Sequence, residues 1–228
     1  MKKILALVLV LIMALGLAAC AAPAAPAEEP TPAAEPETEK VDSQAILAEL
    51  KTPAEESNWE RTTSSQEVID FLKVVAEHSA GRIILDTTTF ATEAGTPISY
   101  MIISDVAPAS PADVPEDKGV VYVNCNIHSG EIEGKESMMI FAREVAQGKH
   151  DDLLKDLVVI IVPNSNPDGN DNLGKNRITT QFTPKLVGTR AEGNGLNVNR
   201  DMTKLETACG RTIVKLMNDW NPILFIDA

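Results

Sequence analysis

Residues 120–136 have the sequence V-V-Y-V-N-C-N-I-H-S-G-E-I-E-G-K-E, and this stretch indicates how the chain folds. β-Branched and aromatic residues dominate Val120 to Ile127, a pattern typical of a buried strand. The pattern stops at His128, a Ser-Gly pair follows, and a helical pattern begins at Gly134. His128 and Glu131 are therefore predicted to lie on the turn that leaves the carboxyl end of a strand.

An imidazole and a carboxylate three residues apart on such a turn can bind one metal ion. Zinc takes nitrogen and oxygen ligands of this kind at about 2.0–2.2 Å. A His-x-x-Glu pair also occurs by chance, and such side chains in loops are mostly solvated. Because open α/β sheets bind ligands at the carboxyl ends of their strands, the position of this pair favours a metal site.

The composition is that of a soluble globular protein, with 228 residues of which 44% are hydrophobic and 23% charged. One domain with its own core is expected from this length. The net charge of −13 argues against nucleic-acid binding, which needs clustered Lys and Arg.

The amino-terminal residues 1–20 are predicted to be a signal peptide. Lys2 and Lys3 precede an apolar run, Ile4 to Leu17, that is shorter than the roughly 20 residues of a membrane span. The run ends in Leu17-Ala18-Ala19-Cys20, which resembles the lipobox of bacterial lipoproteins. This resemblance implies lipidation of Cys20 and an extracytoplasmic protein anchored to the cell membrane; ordinary cleavage after Ala19 is the alternative.

Residues 21–44 are predicted to be a disordered tether, because they are rich in Pro, Ala and Glu and offer little to bury. The remaining residues, 45–228, are predicted to form the folded domain. Cys125 and Cys209 are expected to be buried thiols and not a disulfide.

The domain has the pattern of an α/β fold with a mixed, mostly parallel sheet flanked by helices. Leu157 to Val162 is a second apolar strand, and the strand–helix–strand unit that it completes implies a parallel pair. A hairpin is expected from two strand-like runs joined by a Gly-containing loop. The other predicted elements are the hairpin strands 82–90 and 97–104, helices at 41–50, 64–81 and 204–220, and a third apolar strand at 222–227.

Two polar segments follow the second strand. Asn166-Pro167-Asp168-Gly169 is a general turn signal, but it leaves the sheet at the same edge as His128. Gly188 to Asp201 is a loop rich in Gly and Asn. His78 is predicted to end a helix and His150 to lie exposed in a turn, so neither is a candidate ligand.

Four of these features together resemble the zinc carboxypeptidase family, the carboxypeptidase A-like metallopeptidases, over about residues 66–228. In chain order they are His128-Ser129-Gly130-Glu131, Asn166-Pro167-Asp168-Gly169, Asn199-Arg200 and Ile223-Leu224-Phe225-Ile226-Asp227. The resemblance implies the fold of that family and a catalytic Zn²⁺ bound by His128 and Glu131.

The resemblance also implies roles in substrate binding. Asn199 and Arg200 would hold the terminal carboxylate of a peptide, and a guanidinium suits this role because it binds a carboxylate through two parallel hydrogen bonds. An upstream arginine would stabilise the oxyanion. Arg190 is the candidate because it leads directly into G-N-G-L-N-V-N-R, and Arg177 is the alternative.

The chain departs from the family where the third ligand is expected. That ligand is a histidine following the strand that here ends at Asp227-Ala228, and the family's tyrosine and general-base glutamate lie further along. The sequence thus resembles the amino-terminal part of such an enzyme, truncated before its last strands. We expect weak zinc binding through two ligands, an exposed apolar sheet edge, and no efficient catalysis by the 228-residue chain alone.

The predicted function of the complete protein is a metallocarboxypeptidase that hydrolyses C-terminal residues from peptides at the cell surface. Within the same scaffold, a cell-wall peptide peptidase and an amide hydrolase are alternatives. A non-catalytic, tethered peptide- or solute-binding lipoprotein is an alternative of another class, and it would carry neither stoichiometric zinc nor hydrolytic activity.

Overall fold

The computed structural model describes residues 42–175 and 182–228, so the predictions for the signal peptide, Cys20 and Arg177 lie outside the described residues. The described helices are α1 (Ser43–Glu49), α2 (Pro53–Glu56), α3 (Ser65–Glu77), α4 (Glu133–Ala146), α5 (Asp151–Leu154), α6 (Pro167–Asp171) and α7 (Ala208–Trp220), with 3-10 turns at Pro111–Asp113 and Val198–Arg200. The strands are β1 (Ile83–Asp86), β2 (Tyr100–Ile103), β3 (Gly119–Asn124), β4 (Leu157–Val162), β5 (Gly174–Lys175), β6 (Leu186–Val187) and β7 (Leu224–Asp227). Among the described helices, none has the length and apolar character needed to cross a membrane.

Five strands form one sheet in the order β1-β2-β4-β3-β7. β3 runs parallel to both of its neighbours, with Val121 opposite Val159 on β4 and Leu224 on β7. β2 pairs antiparallel with β1 and with β4. The predicted hairpin and the predicted parallel pair are therefore confirmed, and so is the α/β fold class with a mixed sheet flanked by helices.

The central strands β3 and β4 are buried on both faces, because they are apolar almost throughout. Ile161 of β4 lies in one core cluster with Leu72 of α3 and Met139 of α4. Ile160, the next residue along β4, lies in a second cluster with Ile213 of α7. Helices therefore cover the two faces of the sheet, as near-continuous apolar strands require.

Helix α3 begins where the sequence predicts. The Ser64 side chain accepts from the Glu67 N–H, and the Glu67 carboxylate accepts in return from the Ser64 N–H, which is a complete capping box. Arg61 donates two hydrogen bonds to that carboxylate, at 2.8 and 2.9 Å, and holds the pKa of Glu67 at about 2. The helix ends at His78, which caps it as expected.

Several element boundaries differ from the predictions. The segment 163–169 is not loop throughout, because the Asn166 side chain caps a short helix that starts at Pro167. Helix α7 starts at Ala208 and not at residue 204, because Thr207 caps it. Helix α1 starts at Ser43, two residues inside the predicted tether. Both cysteines of the domain, Cys125 and Cys209, are free and buried as predicted.

Strand β7 and the residue before it leave large apolar side chains in solvent. Ile223, Leu224 and Ile226 are 76%, 51% and 40% exposed. The sheet edge beside β7 is therefore apolar and open among the described residues, which is the edge that the sequence predicts.

Candidate functional site

The turn that carries the predicted metal ligands, residues 128–131, leaves the carboxyl end of β3. Asn126 has φ +62°, which turns the chain out of the strand direction. The Glu131 N–H then donates to the His128 carbonyl at 2.8 Å and closes the turn. The two side chains consequently meet, with His128 Nδ1 3.1 Å from Glu131 Oε2. His128 is buried, whereas the Glu131 carboxylate is partly exposed.

The side chain of Asn197 contacts Nε2 of His128. Its Oδ1 accepts from the Asn199 N–H at 3.0 Å, which identifies this atom as the amide oxygen, and it lies 3.1 Å from His128 Nε2. Because an amide oxygen only accepts, a proton on Nε2 satisfies this contact, and in the neutral imidazole Nδ1 then carries the lone pair. This is the tautomer that a metal ligand acting through Nδ1 needs.

Arg190 reaches this turn through close packing of three chain segments. The Gly188 N–H donates to the Ser129 carbonyl at 3.2 Å, and the Ser129 N–H donates to the Thr189 carbonyl at 3.3 Å. The Thr189 N–H donates to the Gly169 carbonyl at 2.8 Å. A Cβ on Gly188 would lie 2.5 Å from that same carbonyl oxygen, so only glycine fits here. Arg190 is thereby fixed beside residues 128–131, the turn of the predicted metal ligands, which is called the metal-site turn below.

The guanidinium of Arg190 contacts both predicted ligands. Its Nη1 lies 3.0 Å from His128 Nδ1 and 2.8 Å from Nε2, and its Nη2 lies 3.6 Å from Glu131 Oε1. Since Nε2 donates to Asn197, only the contact with Nδ1 can be a hydrogen bond. The Nδ1 lone pair and the Glu131 carboxylate therefore face each other across 3.1 Å with a cation beside them.

In the neutral, Nε2-protonated imidazole, Nδ1 and the Glu131 carboxylate are two electron-pair donors 3.1 Å apart, and this arrangement fits a metal ion. A catalytic zinc site, however, has three protein ligands and one open position. Within residues 42–175 and 182–228, no group of three His, Cys, Asp or Glu side chains could hold a metal ion. His78 and His150 lie elsewhere, bonded to Ser43 and Glu144.

The predicted carboxylate-binding pair lies on the 3-10 turn Val198–Arg200. Asn197 caps this turn, so the residue that contacts His128 also holds the start of the segment that carries Asn199 and Arg200. Both side chains are exposed, and Arg200 Nη1 donates to the Asn199 carbonyl at 2.7 Å. The pair thus lies on the turn that directly follows the residue in contact with His128.

Two features of the site were not predicted from the sequence. Asn197 is one of several asparagines in G-N-G-L-N-V-N-R, and no pattern singles it out. Lys135 and Glu136, at the start of α4, are buried. A signal for Lys135 did exist, because it lies four residues before Met139 and seven before Ala142, on the buried face of the helix.

The family follows from a comparison with known proteins. Residues 70–214 match the family model of the zinc carboxypeptidases. The chain belongs to the zinc carboxypeptidase family. The family uses Zn²⁺, so the predicted family and cofactor are confirmed, while the roles of the individual residues stay predictions. A comparison with the curated proteins gave no significant match.

Solved structures of carboxypeptidases share the fold. A metallo-carboxypeptidase from Burkholderia cenocepacia is similar with a TM-score of 0.54 at 20% identity, over 73% of this chain and 40% of that one. Carboxypeptidase A from Helicoverpa armigera is similar with a TM-score of 0.50 at 16% identity, over 80% of this chain and 49% of that one. The chain therefore spans less than half the length of these two carboxypeptidases.

Proposed function

We propose that the complete protein is a zinc-dependent metallocarboxypeptidase that removes C-terminal residues from peptides. The chain described here would supply the metal-site turn, the arginine that stabilises the oxyanion and the residues that bind the terminal carboxylate. The observation that carries this proposal is the convergence of His128 Nδ1 and the Glu131 carboxylate, 3.1 Å apart, beside the Arg190 guanidinium.

In this proposal His128 and Glu131 hold the metal, together with a ligand from outside the described residues. Zinc, when bound, lowers the pKa of its water to about 7 and polarises the carbonyl that is attacked. Asn197 keeps the Nε2 proton of His128 engaged, which leaves Nδ1 free to act as the donor.

Arg190 would stabilise the negative charge that develops on the carbonyl oxygen. Its guanidinium is about half exposed and lies against the predicted ligands, so it faces the space that a substrate carbonyl must enter. A fixed cation at that point is worth several kcal/mol in a transition state, on the order of 3 kcal/mol for a single oxyanion donor. This position supports the assignment of Arg190, and the alternative, Arg177, lies outside the described residues.

Asn199 and Arg200 would bind the free carboxylate at the end of the substrate. Both side chains are exposed on the Asn197-capped turn, and they provide an amide donor and a guanidinium. A planar guanidinium binds a carboxylate through two charge-assisted hydrogen bonds, which selects chain ends over internal peptide bonds.

We also propose that the protein works outside the cytoplasm, anchored to the cell membrane through a lipid on Cys20. The support is in the sequence: two lysines, an apolar run that ends at Leu17-Ala18-Ala19-Cys20, and a Pro-rich tether. Peptides at the cell surface are then the available substrates.

The test of this function compares two forms of one peptide on the full-length protein. Arg200→Ala is expected to reduce kcat/KM for a peptide with a free C-terminus far more than for its C-terminal amide, because only the former meets the guanidinium. Arg211→Ala, which removes a similarly exposed arginine paired with Glu93, is the matched control and should change neither. Equal losses on both peptides would refute the carboxylate-binding role, and a wild-type protein without zinc or hydrolysis would favour the binding lipoprotein.

A further inference from the structure

Lys135 is a cation that lies entirely inside the protein. Its side chain has no exposed surface, and its Nζ donates to Thr62 Oγ1 at 2.8 Å, to the Thr63 carbonyl at 2.5 Å and to Asn170 Oδ1 at 2.6 Å. Burial lowers the pKa of this ammonium to about 8, so the group is still charged at neutral pH. A buried charge is costly unless it is paired and fully hydrogen-bonded, and all three protons here have a partner.

The neighbouring Glu136 completes this network. Its carboxylate is buried, lies 3.5 Å from Lys135 Nζ and accepts from Thr62 Oγ1, from the Thr63 N–H and from Thr63 Oγ1 at 2.6–2.8 Å. Two residues in the first turn of α4 therefore clamp the segment that leads into α3. Because α4 starts two residues after Glu131, this clamp fixes the chain immediately after the metal-site turn.

The same ammonium also reaches the chain before the turn. Asn170 Oδ1, which accepts from Lys135, also accepts from Asn126 Nδ2 at 3.0 Å, and Asn126 Nδ2 lies 2.8 Å from Asn164 Oδ1. Asn126 is the residue with φ +62° that redirects the chain two residues before His128. Asparagine adopts this left-handed conformation more readily than other non-glycine residues, and here its side chain is also held by the amide oxygens of Asn164 and Asn170.

We propose that Lys135 is a positioning residue for the metal-site turn. Its ammonium fixes the start of α4 after Glu131, and through Asn170 it fixes Asn126 before His128. Neither ligand touches Lys135, so it acts by setting where the two ligands meet. This proposal rests on the proposed function, and it assigns to a buried Lys–Glu pair a role in metal affinity beyond its role in stability.

The test follows the imidazole ¹⁵N signals of His128, with the two other histidines of this sequence, His78 and His150, as internal references. In an imidazole ¹⁵N spectrum of wild type, His128 should show a proton on Nε2 and none on Nδ1. Lys135→Met should shift the His128 signals and leave the His78 signals unchanged. It should also raise the dissociation constant for Zn²⁺ by about tenfold, the loss typical when a residue that supports a metal ligand is removed. Lys149→Met, an exposed lysine paired with Glu144, is the control and should affect His150 alone.

A second variant separates positioning from stability. Lys135→Met leaves the Glu136 carboxylate unpaired, and Lys135→Met/Glu136→Gln removes both charges. The double variant should recover thermal stability while the His128 shift and the weaker zinc binding persist. Recovery of all three properties, or a folded Lys135→Met protein with wild-type His128 signals and zinc affinity, would overturn the proposal.

Two other results have to be considered: a Lys135→Met protein that does not fold, and a wild-type protein that binds no zinc. Should Lys135→Met fail to fold, Asn126→Gly tests the same link, because glycine accepts the positive φ and removes only the side chain that connects to Asn170. Altered His128 signals in that variant support the proposal, and unaltered signals refute it. Should wild type bind no zinc, the proposed function fails, whereas the His128 signals still decide the role of Lys135.

Discussion

Two histidine–glutamate contacts in this protein look alike by distance and differ in everything around them. His128 Nδ1 lies 3.1 Å from Glu131 Oε2, and His150 Nε2 lies 2.9 Å from Glu144 Oε2. The first pair follows the carboxyl end of β3, whereas His150 precedes α5 and the amino end of β4. Since β3 and β4 are parallel, one pair lies at the carboxyl ends of the strands and the other at their amino ends.

The surroundings decide what each pair can do. His150 is exposed, and its partner Glu144 also binds the exposed Lys149, so the pair is an ordinary surface network. His128 is buried, its Nε2 contacts Asn197, and the Arg190 guanidinium contacts its Nδ1. A short contact alone does not make a ligand pair; the burial of His128 at the carboxyl end of β3, with Nε2 held by Asn197, is what distinguishes it from His150.

The largest difference between the pairs should appear when the histidines are replaced. His128→Gln removes the nitrogen donor and should weaken zinc binding by more than about 100-fold, beyond the loss that an outer partner causes. His150→Gln should leave the dissociation constant unchanged. Isothermal titration with Zn²⁺ measures both, and equal losses would mean that the ligand assignment is wrong.

Removal of the residue that fixes the tautomer should have the next largest effect. Asn197→Ala leaves Nε2 of His128 without its acceptor and should weaken zinc binding by about tenfold. Asn197→Asp keeps an acceptor at the same place and should restore the affinity. A wild-type affinity in Asn197→Ala would show that the amide has no part in the metal site.

A smaller effect of opposite sign is expected at Arg190. Its guanidinium contacts both ligands, so it repels an incoming dication, and Arg190→Gln should tighten zinc binding by about fivefold. In the full-length enzyme the same change should lower kcat, because the oxyanion loses its cation. Arg211→Gln is the control for both measurements. Weaker zinc binding in Arg190→Gln would contradict this account of the cation's place.

The smallest effect should come from the surface pair in acid. The hydrogen bond from His150 lowers the pKa of Glu144 below its value of about 4.3 in the unfolded chain. The pair therefore stabilises the fold above that pH, and its contribution is lost as the pH falls through the lowered pKa. His150→Gln should reduce this acid-dependent loss, by less than about 1 kcal/mol in urea unfolding curves. An unchanged pH dependence would show that the contact does not persist in solution.

The sequence predicts the framework well because apolar patterning determines it. β3 and β4 are apolar along their length, and the helical spacing of Val68, Leu72 and Val75 identifies α3, so these elements follow from burial alone. Element ends were less accurate, because side-chain caps such as Thr207 decide them. A cap depends on a single polar residue, and the pattern of apolar residues around it does not predict which residue that is.

The sequence predicts the part of the site that depends on residues close together in the chain, and not the part that depends on distant segments. His128 and Glu131 lie on one turn, so their convergence is a local property that sequence spacing expresses. The contacts of Asn197 and Lys135 join residues 69 and 72 positions apart, and such contacts exist only once the fold brings the segments together. Adjacent Lys and Glu residues usually lie on the protein surface. Only the position of Lys135 and Glu136 on the buried face of α4 distinguishes them from such surface residues.

The most direct test is the location of zinc by anomalous X-ray scattering in crystals grown with Zn²⁺. We expect an anomalous peak at about 2.0–2.2 Å from both His128 Nδ1 and a Glu131 carboxylate oxygen, with Arg190 displaced from Nδ1. A fully occupied zinc at His150 and Glu144, with none at the metal-site turn, would contradict it.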